Sequence, residues 1–549
     1  MARTTESQTE RLRAPWGQVK RRTLGAVSWA IISACPLSGV TVFAPAAQSA
    51  SDKNSSPPSS KAGDTDEDID TLHIEIDHLA RSAGCSGIHS ALQGIANNIS
   101  CSESDDLTTN NEVTTPQDDS ISGLPRGAFT PRSDRQVISP DAPFRTPVMK
   151  KVPGIQVSAT FADKDEARFV IRLPNDWNGK MVTGAPSSTR SEFGLDFAWS
   201  DYVLQKGYAF IATNKGMYNA RSTTADDPLG CQMAPDGSKF SSVYLHFYFE
   251  DPQNSFKEWS IRTVQAAKIG QRLSMVQYGR RASRNYLVGI SAGGWTVRHV
   301  IENYPTHFDG GIDWEGVLFT AEHNLLRDYA VALSNWPAYR ATGHDADSTA
   351  YQNILVYGYG DELMVGPKPG NPFSPVGSFY ETHANNYWQL LHCFVVRKVD
   401  PTYAGPRASY DYAARDAKLN LTQNSRDALT LGNIKLPLIS VSGTMDQLSL
   451  MITDQRIYHD LALRHGRGHL HRLYEVQNGN HIDRYKQGYG FSALEFVQPH
   501  AQAAFDQLAR WVEDSIAAPM GQCIPRGGSL APDSEIPSRL EHCARLSEP

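Results

Sequence analysis

The segment NYLVGISAGGWTVRHVIENYP, residues 285–305, constrains this chain more tightly than any other. It opens as a short apolar run rich in β-formers and closes as a stretch with helical periodicity, with Gly289-Ile290-Ser291-Ala292-Gly293 between them. A serine flanked in this way sits on a sharp strand-to-helix turn, where glycines let two backbones approach closely. The helix behind it presents free N–H groups and the positive end of its dipole to any negative charge that develops there. A serine hydroxyl is a poor nucleophile near neutral pH, so such a site also needs a base and a group that orients the base.

The surrounding pattern predicts an α/β architecture. Strands are expected at Gly154–Thr160, Ala167–Leu173, Lys180–Gly184, Tyr208–Thr213, Asn285–Gly289, Gly311–Trp314, Leu436–Val441 and Leu470–Val476. The first two read as an antiparallel pair. The later ones are separated by helix-length segments such as Ser255–Tyr278, which predicts a mostly parallel sheet covered on both faces. Hydrophobic residues make up 40% of the 549 residues, enough for a sizeable core, so the chain is not wholly disordered. Lys+Arg number 52 against 59 Asp+Glu, a net charge of −7, so there is no basic excess to neutralise phosphates and nucleic-acid binding is not its main task.

In a sheet of this kind the partners of Ser291 follow in the order acid, then histidine. The strand in KLPLISVSGTMDQLSL runs into Gly443-Thr444-Met445-Asp446, placing Asp446 just past its C-terminal edge. The last strand, LHRLYEV, leads into QNGNHID and places His481 on the next loop. Competing residues fit less well. Asp454 falls in the helix after the acid loop, His469 and His471 flank the wrong end of the last strand, and His500 adjoins the C-terminal helix. The block NYPTHFDGG, residues 303–311, joins the nucleophile helix to the next strand.

On the Ser291 turn, the GTMD and GNH loops and a long insertion before the acid strand, residues 150–525 resemble the α/β-hydrolase superfamily. Within it they look most like secreted enzymes of the tannase and feruloyl-esterase type. The resemblance implies an eight-stranded sheet with Ser291 as nucleophile, His481 as general base and acid, and Asp446 as orienting carboxylate. One departure is visible. Tannase-type enzymes carry a bridged cysteine pair directly before the serine and after the histidine, and here those positions are Ile290 and Ile482. The oxyanion donors expected from this geometry are the N–H of Ala292 and one from the loop TGAPSSTRSEF, with Gly184 to Ser187 as candidates and Ala185 foremost. Arg190 and Glu192 on that loop either touch substrate or form a solvent-exposed ion pair. Trp295 is either a substrate platform or a core residue.

The remaining features concern export and domain layout. Six basic residues in the first 22 precede an uncharged, largely apolar run from Thr23 to Ser51 that ends in small residues, the layout of an export signal over 1–50. Arg21-Arg22 partly matches a twin-arginine signal. A retained membrane anchor or lipoprotein attachment through Cys35 are the alternatives. Removing the signal leaves Cys85, Cys101, Cys231, Cys393, Cys523 and Cys543, an even number for an oxidising compartment, periplasmic or extracellular. Two short-range pairings, Cys85 with Cys101 and Cys523 with Cys543, would leave Cys231 with Cys393, and each short loop is worth about 3 kcal/mol in the chain-entropy model. Residues 51–147 read as a flexible spacer and small appendage, with one amphipathic helix around Leu72, Ile74, Ile76 and Leu79. Residues 148–316 and 433–549 read as the catalytic domain, and 317–432, rich in aromatics, as a lid insertion. The function expected is an exported serine hydrolase cleaving small-molecule or oligomeric carboxylic esters through an acyl-enzyme. It needs no metal, no organic cofactor and no stable membrane span. A peptidase, a β-diketone C–C hydrolase and a non-catalytic binding protein on this fold are the alternatives.

Overall fold

The computed structural model describes residues 84–116, 131–217, 256–356 and 395–531, apart from short gaps at 189, 397, 406–408 and 489–493. Residues 1–50, expected to form an export signal, the stretch from 51 to 83 expected to form a spacer and the Leu72–Leu79 helix, and Cys35, Cys231, Cys393 and Cys543 lie outside the described residues.

All eight expected strands form, within a residue or three of their expected ends. They are β2 (Gly154–Phe161), β3 (Lys164–Pro174), β4 (Lys180–Ala185), β5 (Ala209–Thr213), β6 (Arg284–Ile290), β7 (Gly310–Trp314), β8 (Leu438–Gly443) and β9 (His471–Val476). The sheet is wider than expected, because β1 (Ala96–Ser104) and β10 (Gln522–Ile524) bring it to ten strands in the order β1-β2-β3-β5-β4-β6-β7-β8-β9-β10. β1 pairs antiparallel with β2, and β10 parallel with β9. Neither has the alternation that reveals a half-buried strand: ANNISCSES is mostly polar and β10 is three residues long. Backbone pairing holds β1 in place, helped by a disulfide between Cys101 and Cys85 at the start of α1 (Cys85–Leu92). Cys523 of β10 is also disulfide-bonded.

From β4 to β10 every neighbouring pair is parallel, and the β3–β5 pairing is antiparallel. Helices cover both faces. α2 (Lys257–Tyr278), α3 (Ala292–Asn303) and, further on, α7 (Arg456–Arg464) lie on one, and α8 (Gln498–Asp514) on the other. Successive strand residues accordingly enter opposite cores. Met181, Ile211 and Leu287 pack with Val264 and Val297, whereas Val182, Phe210, Tyr286 and Val288 pack with Phe505 and Leu508. Between β7 and β8 the chain forms α4 (Leu325–Ala341), α5 (Thr349–Val356) and α6 (Tyr412–Leu419). Among the described residues no helix is long and apolar enough to cross a membrane.

Several charges are buried in this framework, each with a partner. Arg172 on β3 donates to both oxygens of Asp196 at 2.6 and 3.0 Å, with neither side chain exposed. Arg298 on α3 donates through Nε to Asp313 Oδ2 at 2.6 Å, and Ser440 Oγ donates to the same oxygen at 2.7 Å. Asp313 Oδ1 accepts the Gly316 N–H at 2.8 Å, so this pair shapes the turn after β7. Removing one member leaves the other charge buried and unmatched, which costs about 3–5 kcal/mol. Arg298→Ala is therefore expected to lower unfolding stability by about that amount, read as a fall in the denaturant midpoint. A loss under about 1 kcal/mol would mean that water reaches Asp313.

Candidate active site

Ser291 is the residue between β6 and α3, and its backbone stands at φ 59° and ψ −118°. Such a conformation is costly for a residue with a Cβ and persists only where the surroundings impose it. They do so here through close approach. A Cβ on Gly293 would lie 1.9 Å from the Ala185 carbonyl oxygen, and one on Gly289 would lie 2.2 Å from the Gly293 oxygen. The Ser291 N–H donates to Trp314 O and its carbonyl accepts Trp295 N–H, both at 2.9 Å, tying the turn to β7 on one side and to the first helical turn on the other. Ser291 therefore stands at the C-terminal edge of the sheet with a helix N-terminus behind it.

Two further loops meet at that edge. Asp446 follows β8, with its Oδ1 accepting the N–H groups of Leu448 and Ser449 at 2.7 and 2.9 Å. His481 follows β9, and its Nδ1 lies 2.7 Å from Asp446 Oδ2. The loops are fastened together by the Met445 N–H to Gly479 O bond (2.9 Å), by Asn480 Nδ2 donating to Met445 O (2.6 Å) and by contact between Gly443 and Gly479, where a Cβ on Gly443 would lie 2.1 Å from the Gly479 carbonyl carbon. Asp446 and His481 are both buried, 2% exposed.

A third group, not anticipated from the sequence, sits with them. Glu315 directly follows β7 at φ 53° and is fully buried. Its Oε1 accepts the Gly443 N–H at 3.0 Å. Its Oε2 lies 3.7 Å from His481 Nδ1. Burial, and then the neighbouring Asp446 charge, push its pKa well above the usual carboxylate range. Glu315, Asp446 and His481 each place one ligand-capable atom within 4.8 Å of the others, a set able to hold a metal ion, although the His481 Nδ1 is already committed to Asp446.

The loop after β4 is where expectation and structure diverge in detail. Ala185 is fully buried at the strand end in register with Gly289, and Ser187, Ser188 and Arg190 are the residues of the loop that line the cleft. Pro186 has no N–H to offer. Lys215, fully buried, donates from Nζ to the carbonyls of Pro186 and Ser188. A trans peptide points its N–H opposite its carbonyl, so anchoring Pro186 O turns the Ser187 N–H away from Lys215. Glu192 does not face solvent: it pairs with Arg168 of β3 at 3.2 Å, both side chains 2% exposed. Arg190 is also buried. It lines the cleft and donates to Asp134 Oδ1 at 3.3 Å, while Asp134 Oδ2 accepts the Ser191 N–H. Trp295 is buried, lines the cleft, and donates from its indole N–H to Ala428 O at 3.0 Å.

The cleft itself is narrow, with about 60 Å³ of space open to the centre of a water-sized sphere. Ser291, Ala292 and His481 lie on its floor with Ile290 and Ile482, and its walls are apolar: Phe256, Trp259, Phe319, Leu325 and Val395. The competing residues lie elsewhere. Asp454 accepts the Leu318 N–H at 2.9 Å, and His471 bonds Ser440 and His459. Of the aromatics expected in the insertion, Phe319 faces the cleft, Trp336 and Tyr351 are buried, and those between Tyr357 and Trp388 lie outside the described residues.

No protein-family model matches the chain. Over 150 residues, 26% of this chain and 22% of the relative, it is 25% identical to a "Mono(2-hydroxyethyl) terephthalate hydrolase" from Piscinibacter sakaiensis. Over 213 residues, 36% of this chain and 34% of the relative, it is 25% identical to a "Probable feruloyl esterase B-1" from Aspergillus terreus. The chain thus spans between a fifth and about a third of the length of these curated relatives. Feruloyl esterase B from Aspergillus oryzae superposes with a TM-score of 0.42 at 13% identity, over 69% of this chain and 85% of that one. With its strand order and its strand–Ser291–helix turn, the chain has the α/β-hydrolase fold and is similar to hydrolases of the feruloyl-esterase type.

Proposed function

We propose that this protein is an exported serine hydrolase that cleaves carboxylic esters through an acyl-enzyme. The observation that carries the reading is the 2.7 Å contact between His481 Nδ1 and Asp446 Oδ2, beside a serine held at a strained turn on the floor of the same cleft. With Nδ1 engaged by Asp446, Nε2 of His481 is the ring atom left to take the Ser291 proton. The serine oxygen then attacks the ester carbonyl, and His481 returns the proton to the departing alcohol. Water, deprotonated by the same imidazole, releases the acid in the second half. The oxyanion is received by the Ala292 N–H at the start of α3 and by the Ser187 N–H, which takes the part expected of Ala185. Residues 317–432 act as a lid, and the presence of Val317, Phe319, Leu325, Tyr329 and Val395 in the cleft wall supports this. The Cys85–Cys101 disulfide supports export.

Ser291→Ala and His481→Ala are each expected to lower kcat by a factor on the order of 10³ or more, with substrate binding largely retained. An organophosphonate should leave one adduct, on Ser291, identified by peptide mass. Folded Ser291→Ala protein with near-normal turnover would sink the reading.

The cleft walls also set an expectation for substrate. Aromatic and aliphatic side chains around the nucleophile favour esters with bulky apolar or aromatic acyl parts over acetates of small alcohols. Phe319→Ala should reduce kcat/KM for an aromatic ester by about 10-fold or more and for a small acetate much less. Equal losses on both, across a graded ester series, would show that Phe319 supports the fold and not the choice of acyl group.

A further inference from the structure

Glu315 is a buried carboxyl that the proposed mechanism does not use, although it occupies the proposed triad's immediate surroundings. It stands after β7, the neighbour of the strand that carries Asp446, so the two acids approach the imidazole from adjacent strand ends. The distances rank them. Asp446 Oδ2 lies 2.7 Å from His481 Nδ1, and Glu315 Oε2 lies 3.7 Å from the same nitrogen. The hydrogen bonds rank them in the same order. Asp446 accepts two backbone N–H groups besides the imidazole, while Glu315 accepts one, from Gly443, with the Trp314 side chain as its further polar neighbour.

Two buried carboxyls this close do not both ionise, so one negative charge is shared between two positions. Asp446, with three hydrogen-bond donors and the shorter approach to the imidazole, is the position built to hold it, and Glu315 is pushed well above the usual carboxylate range by burial and by Asp446. The groups that face Glu315 support this division. Asp446 on the β8 loop and Asp483 on the β9 loop both oppose a second charge, and the uncharged Trp314 side chain and Gly443 N–H are its other neighbours. His481 completes the set.

We infer that Glu315 is a reserve acid for the proposed triad, a second carboxyl placed to orient the His481 imidazole when Asp446 does not carry the charge. This rests on the Ser291–Asp446–His481 reading given above. The sequence Gly311-Ile312-Asp313-Trp314-Glu315-Gly316 builds the position. The left-handed turn at Glu315 and the bond from Gly316 to Asp313 hold the side chain toward the β8 and β9 loops, with no motion of the backbone needed for it to serve.

The consequence is non-additivity. In Asp446→Asn protein the larger of the two charges that oppose ionisation of Glu315 is gone, so Glu315, still raised by burial and Asp483, ionises at a lower pH than before and pairs with the imidazole. Asp446→Asn is therefore expected to lose less than the roughly 10⁴-fold in kcat seen when an orienting acid has no substitute. Adding Glu315→Gln should then remove most of what remains. The factor lost on Glu315→Gln is expected to be at least about ten times larger in the Asp446→Asn background than in the otherwise unaltered enzyme. The pH profile supplies a readout that packing would not move. A reserve carboxyl with a raised pKa must be ionised to work, so the acidic limb of Asp446→Asn should move to higher pH than that of the unaltered enzyme. Glu315→Gln should abolish that displaced limb. Equal factors in both backgrounds, with a limb that does not move, would overturn the inference. If the double variant does not fold, the limb of Asp446→Asn alone decides. Ser291→Ala run beside them separates the two readings: its full activity refutes the triad, whereas its inactivity together with additive Glu315 and Asp446 losses refutes only the reserve role.

Discussion

The strained turn at Ser291 is the constraint on which the rest of this molecule is arranged. A backbone at φ 59° and ψ −118° does not persist in an isolated peptide, so neighbouring parts must hold it. The glycines at 289 and 293 are what allow the contact with the end of β4, and the Trp314 carbonyl fixes the turn from the next strand. Those contacts require β4, β6 and β7 to lie side by side with both faces of the sheet already covered. The position of one hydroxyl is thus a property of the whole parallel sheet, and substitutions in its core act on the site through this turn.

Charge is handled in two ways around the site. Structural charges such as Arg172, Asp196, Arg298 and Asp313 are buried in pairs with multiple hydrogen bonds, so the low dielectric strengthens what it would otherwise penalise. Near the imidazole the arrangement differs. Asp446 and Glu315 bring two acids to a place where the described residues supply one histidine and backbone N–H groups as counterparts. Burial there pushes the Glu315 carboxyl well above the usual range, and Asp483, which accepts the N–H groups of Val497 and Gln498, is likewise raised to about 7 by burial. The surroundings of the imidazole are therefore richer in protons than a count of carboxylates indicates.

Legibility in the sequence followed burial. Strands β2 to β9 could be read because both of their faces are covered, which makes them short apolar runs bounded by turns. β1 could not, since its residues are held by backbone pairing and a disulfide and carry no apolar alternation. Asp446 and His481 could be proposed from their positions after strands, and the structure brings them together. Glu315 also follows a strand, at the Asp-Trp-Glu-Gly end of β7, but one acid satisfies the expected pattern and the sequence alone gives no reason to look for a second. Arg190 and Glu192 could be read as substrate contacts or as a solvent-exposed ion pair, and the second reading does not hold, because each is buried against another partner, Asp134 or Arg168, too far away in sequence to be matched. The hold of Lys215 on the Pro186 and Ser188 carbonyls, which orients the peptide planes after β4, comes from a residue 28 positions beyond Ser187, and no local pattern records it.

The polar edge strand has a bearing on how the molecule behaves in company. Without β1, the outer side of β2 would present a row of unpaired N–H and C=O groups flanked by fully buried apolar residues, a ready template for another chain. β1 saturates that row and turns Asn97, Asn98, Ser100 and Ser102 outward in its place. The disulfide to α1 keeps the strand from peeling away. The Cys85–Cys101 bond ties the strand covering this edge to α1, so its consequence lies in how copies of the chain meet one another.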